Sequence, residues 1–151
     1  MPSFNIRTVK DVKSDVTRKG EAAFVPRGNS MWPFLKNGGQ TVIIGVPKRP
    51  FSVYDVIFFT RADGTEVLHR IIGFDGNDLL VCGDSQFTVE RVSPQAVFAV
   101  MNGFYKGKRY VESSDEKYLK DVEKWYKRKI IRKIRLKFFY LGLKIKRIFK
   151  R

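Results

Sequence analysis

The chain has 151 residues, 43% of them hydrophobic and 14% aromatic, with one cysteine, one histidine and a formal net charge of +15. That is enough for one domain with a real core plus an appendage, and too apolar for a disordered chain. A lone Cys82 excludes an internal disulfide and a cysteine-based zinc site, and with His69 as the only histidine a His/Cys metal centre has no basis, although a carboxylate-only site stays open. The charge is uneven. Residues 1–114 carry 15 Lys+Arg against 11 Asp+Glu, or +4, whereas residues 115–151 carry 15 against 4, or +11.

Residues 1–20 mix charges of both signs and lack the apolar centre of a secretory signal. Within them, 7–19 read as a short polar helix ended by Gly20. Strands follow at 21–26, 41–46, 53–60, 65–74, 79–82 and 96–105, with a short one near Tyr110. They are rich in β-branched and aromatic residues, and Asp63-Gly64, Asp75-Gly76-Asn77-Asp78 and Gly107 supply turns. Short strands at close spacing predict a mainly β domain over 21–112, either a barrel or a folded-over sheet. Cys82, in the run Leu79-Leu80-Val81-Cys82, reads as a small buried hydrophobe.

A tail, 113–151, has a different character. Ser114 is placed to cap a helix whose apolar residues, Leu119, Val122, Tyr126, Ile130, Ile134, Phe138, Leu141, Ile145 and Ile148, recur at steps of three or four. Gly142 is a candidate break. Lys and Arg crowd the other faces, so an anionic membrane surface is the partner expected for 115–151, with docking on the domain or a partner helix as the alternative. Nucleic acid fits less well, because the stripe of Ile, Leu and Phe has no role on phosphate. The longest apolar stretch near the end, 138–143, is far short of the ~20 residues that span a bilayer. A cytoplasmic protein, peripheral on the membrane, is the expectation.

Four residues stand out chemically. Ser30 lies in a glycine-flanked bend, His69 in a hairpin strand, and Asp84 and Glu90 follow the next strand. Taken singly, each reads as an ordinary turn or packing residue. Together they supply an acyl-transfer site: a hydroxyl nucleophile, an imidazole near pKa ~6.5 to take its proton, and a carboxylate to fix the imidazole tautomer. No cofactor is called for.

Four boxes carry a family resemblance. Gly28-Asn29-Ser30-Met31-Trp32-Pro33-Phe34-Leu35 with Gly38 resembles the Ser-Met-x-Pro-x-Leu-x-x-Gly-Asp box of type I signal peptidases, a version of which the self-cleaving SOS-repressor peptidases share. Tyr54-Asp55-Val56-Ile57-Phe58 resembles the Gly-Asp-Val-Val-x-Phe box, Val67-Leu68-His69-Arg70-Ile71-Ile72-Gly73 the base-bearing strand, and Cys82-Gly83-Asp84-Ser85 the late Gly-Asp-Asn box. They occur in the family's order, within residues 21–105. The resemblance implies a mainly β serine endopeptidase acting on a precursor protein or peptide. Ser30 is the nucleophile and His69 the base, as in the endoplasmic-reticulum and sporulation-type branch, where histidine precedes arginine. Asp84 is the first choice for the orienting acid and Glu90 the alternative. Met31 and Trp32 are candidates to touch substrate in the family's groove.

The chain departs from the family at three positions in two boxes. Gly39 replaces aspartate, Tyr54 replaces glycine, and Gly28 offers no side-chain donor to an oxyanion hole. Gly39 and Tyr54 motivate the alternative function, a catalytically weak or inactive peptide-binding or adaptor module tethered to the membrane. Self-cleavage is not expected: there is no Ala-Gly bond, and Ala22-Ala23 lies only seven residues before Ser30.

Overall fold

The computed structural model describes residues 9–149. Residues 7 and 8 of the expected N-terminal helix, and the last two of the tail, lie outside the described residues. In chain order the elements are α1 (Val9–Lys19), β1 (Glu21–Phe24), β2 (Val42–Gly45), β3 (Val56–Thr60), β4 (Glu66–Asp75), β5 (Asp78–Cys82), β6 (Glu90–Val92), β7 (Val97–Lys106), β8 (Arg109–Glu112), α2 (Glu116–Lys127) and α3 (Lys129–Phe149). The fold is mainly β with helices at the C-terminal end. A strand at 90–92 was absent from the sequence reading, because three residues with two charges carry no alternation to read.

All eight strands join one antiparallel sheet in the order β1-β2-β7-β3-β4-β5-β6, with β8 paired to β7. The sheet does not close into a barrel, since β1 and β6 each keep one edge unpaired. β7 is the spine. It pairs with β2 along one edge, and with β3 and then β8 along the other. Register shifts at Ile43/Ile44, Phe58/Phe59 and Ile71/Gly73 bend the sheet.

Both faces are buried, which is why β3 reads as an unbroken apolar run. Val56 and Phe58 join one core with Val42, Ile44, Met101 and Phe104, and with Val12 and Val16 of α1. Ile57 and Phe59 join a second with Ile71, Leu79, Val81 and Val92. Tyr118 and Val122 of α2 close the first core, so the tail begins as part of the domain.

Asp115, rather than Ser114, caps α2, its carboxylate accepting the Tyr118 N–H. The helix breaks at Arg128, whose ψ of 62° leaves the helical region, whereas Gly142 lies inside α3. That break decides what the apolar stripe does. A single helix would keep 119–148 on one side. Instead α3 buries Arg132 and Leu136 and turns the later stripe outward, with Ile130 76% and Phe138 67% exposed. Among the described residues no helix is long and apolar enough to cross a membrane.

Trp125 of α2 is buried, so Trp125→Ala should cost about 3–5 kcal/mol in urea unfolding, and Ile130→Ala less than about 0.5 kcal/mol. Equal costs would mean that the two positions share one buried face.

Candidate active site

The loop between β1 and β2 is held by its own backbone. Gly38 N–H donates to the Pro26 carbonyl (3.1 Å), Gly28 N–H to Asn37 Oδ1 (2.9 Å) and Leu35 N–H to the Met31 carbonyl (2.9 Å). Met31 and Leu35 are buried and anchor it to the first core. The Trp32–Pro33 peptide is cis.

The loop from 83 to 86 supports it from behind. Ser85 N–H donates to the Ser30 carbonyl (2.8 Å) and Ser85 Oγ to the Asn29 carbonyl (2.8 Å). A Cβ on Gly83 would lie 2.8 Å from the Ser30 carbonyl and 2.7 Å from Gln86 Oε1, so this close approach requires glycine. The late Gly-Asp-Ser box thus bears directly on the backbone of the proposed nucleophile. Among the described residues, the Ser30 N–H has no acceptor and can serve an oxyanion.

Ser30 and His69 line one cavity of about 280 Å3, with Met31, Leu35, Val67 and Leu68 as its apolar wall and Arg27, Lys36, Arg61, Glu66 and Gln86 among its polar groups. His69 Nδ1 lies 3.0 Å from Glu90 Oε1. Arg61 grips the same carboxylate through Nε (2.6 Å) and a terminal nitrogen (2.7 Å). The Arg61 hydrogen bonds, then its charge and His69, hold Glu90 below the usual carboxylate range against the opposing effect of burial. An ionised carboxylate only accepts, so the neutral imidazole carries its proton on Nδ1 and leaves Nε2 able to accept a proton. Burial is the largest influence on His69 and outweighs the pull of Glu90, so its pKa lies below 6.5.

Asp84, the first choice for the orienting acid, does something else. It is fully buried and paired with Arg70, which is also fully buried, through Arg70 Nε (2.8 Å) and a terminal nitrogen (2.7 Å). Tyr126 O–H donates to the same carboxylate (2.6 Å), and Trp125 Nε1–H donates to the Asp84 carbonyl (2.8 Å). Burial, reinforced by Asp84, pushes the Tyr126 phenol far up and keeps it a donor. The Asp84 carboxylate thus accepts from Arg70 and from Tyr126 of α2 and not from His69, and Glu90 is the acid beside His69.

Trp32 is also reassigned. Its ring stacks on Phe139 of α3 (4.1 Å, 12°) and meets Trp125 edge-on (5.8 Å), so it joins the loop to the tail instead of lining the cavity. Met31 does line it. Tyr54 adopts φ 76°, a conformation that glycine takes freely and a tyrosine does not, with its ring stacked on Tyr126 at 6.0 Å. Ala22 and Ala23 are paired with Ile44 and Ile43 in the sheet. Arg61 went unnoticed in the sequence. Its partner is 29 residues away, and no local pattern marks that contact.

No protein-family model matches the chain, and a search of curated proteins finds no match.

Asp84→Asn leaves the Arg70 guanidinium buried without its counter-charge, and should cost about 3–5 kcal/mol in chemical denaturation. Glu90→Gln, at a partly exposed position, should cost far less. The reverse order would return the orienting role to Asp84.

Proposed function

We propose that the protein is a serine endopeptidase resembling type I signal peptidases, hydrolysing a peptide bond in a precursor protein or peptide. The observation that carries this reading is the Arg61–Glu90–His69 chain of hydrogen bonds ending in the cavity that Ser30 lines. Ser30 Oγ attacks the scissile carbonyl and His69 Nε2 takes its proton. The Ser30 N–H donates to the developing oxyanion. The protonated His69, stabilised by Glu90, passes the proton to the leaving amine, and a water then hydrolyses the acyl-enzyme by the same route. Gly28 adds no side-chain donor, so the backbone N–H bears that task.

The adaptor reading needs the groove but gives no role to the oriented imidazole or to the free Ser30 amide. We place the activity on the cytoplasmic side of a membrane, whose anionic leaflet suits the basic α3.

A serine-directed fluorophosphonate should label the wild type and neither Ser30→Ala nor His69→Ala. Equal labelling of all three overturns the assignment. Only neutral imidazole acts as base, so the inactivation rate should fall as the pH drops through the His69 pKa, with a midpoint below 6.5. In Glu90→Gln the carboxylate no longer favours the imidazolium while Arg61 stays nearby. The midpoint should move lower still, and the plateau rate should drop by up to about 10⁴ through loss of the correct tautomer. An unchanged profile in this variant would remove Glu90 from the mechanism.

A further inference from the structure

The two sides of α3 have different occupants. Its inner side is taken: a terminal nitrogen of Arg132 donates to the Gln86 carbonyl, Phe139 stacks on Trp32, and Tyr140 O–H donates to the Ser85 carbonyl (3.1 Å). Roughly 180° around the axis, at 3.6 residues per turn, Ile130, Ile134, Phe138, Leu141, Ile145 and Ile148 form an exposed stripe. It runs about 27 Å along the helix, at 1.5 Å per residue. A helix packed on a globular domain normally turns its apolar stripe inward, and an exposed patch of this length marks an interaction surface.

Charge selects the occupant. Lys133, Lys137 and Lys144 flank the stripe on one side, Arg135 lies over the Trp32 and Trp125 rings toward the inner side, and α3 contains no Asp or Glu. A second copy would bring the same cations against these. A nucleic acid would satisfy the cations and leave the stripe in water. An anionic leaflet satisfies both, taking the stripe at the acyl boundary and the cations among the headgroups.

We propose that α3 lies in the plane of an anionic phospholipid leaflet, apolar face down, while its inner face holds the loop that carries Ser30. The Trp32–Phe139 stack is two residues from Ser30, so the docked helix and the nucleophile loop move as one piece. On the peptidase reading, on which this last step rests, the site works at the bilayer surface.

Flotation of the full chain with phosphatidylcholine vesicles, with and without phosphatidylglycerol, tests the proposal. Binding to the anionic vesicles should be at least about tenfold stronger than to the neutral ones, and should weaken at about 1 M salt, where the Debye length is ~3 Å. The double variant Ile134→Asp/Phe138→Asp alters only exposed side chains and should lower binding at least about tenfold. Lys133→Gln/Lys137→Gln/Lys144→Gln should weaken binding and flatten its salt dependence. Ser30→Ala should bind as the wild type does, so vesicle binding and fluorophosphonate labelling can each fail alone. Absence of binding, equal binding to neutral vesicles, or no effect of the double Asp variant overturns the proposal. So does a dimer that the double variant dissolves in a protein that ignores vesicles.

Discussion

The buried ion pair between Arg70 and Asp84 is the constraint on which the other parts converge. Neither residue retains solvent exposure. Such a pair survives only if its remaining donors and acceptors are met, because desolvation otherwise exceeds the attraction. Here the guanidinium also donates to the Tyr54 carbonyl (2.9 Å) and the Tyr118 hydroxyl (2.9 Å), and it lies over the rings of Phe34 and Tyr118. Burial opposes its charge, but Asp84 and its hydrogen bonds keep Arg70 firmly protonated. One pair thereby ties together β4, the turn before β3, the 83–86 loop and α2.

That arrangement separates the two carboxylates, Asp84 in the core and Glu90 beside His69. His69 and Arg70 are neighbours on β4, so their side chains leave opposite faces of the sheet. Arg70 enters the side covered by α2, where Asp84 waits. His69 enters the cavity side, where β6 brings Glu90. Both acids come after β5, Asp84 in the loop that follows it and Glu90 at the start of β6, and sequence order alone does not decide between them. The face of the sheet does.

The tail shows the same limit at larger scale. Its periodicity correctly marks helix, and its charge correctly marks a basic surface. Yet one residue outside helical geometry, Arg128, splits the stripe between two fates: Leu119, Val122 and Tyr126 pack on the core, and the stripe residues from Ile130 onward go outside. A break of one residue leaves no trace in a pattern of threes and fours.

By itself the sequence determined every strand but the short one at 90–92, the mainly β class, the serine loop as a feature and the positions of the four boxes. These rest on local properties: β-branched runs, turn residues, and glycines at fixed offsets. Only the tertiary structure decided that the sheet stays open, that Glu90 and Arg61 stand behind His69, that Asp84 belongs to Arg70, that Trp32 faces the tail, and which way α3 turns its stripe. Each of these depends on which face of a strand or helix meets which neighbour across tens of residues. That is settled by burying apolar area while leaving no charge unpaired, and no window of sequence contains it.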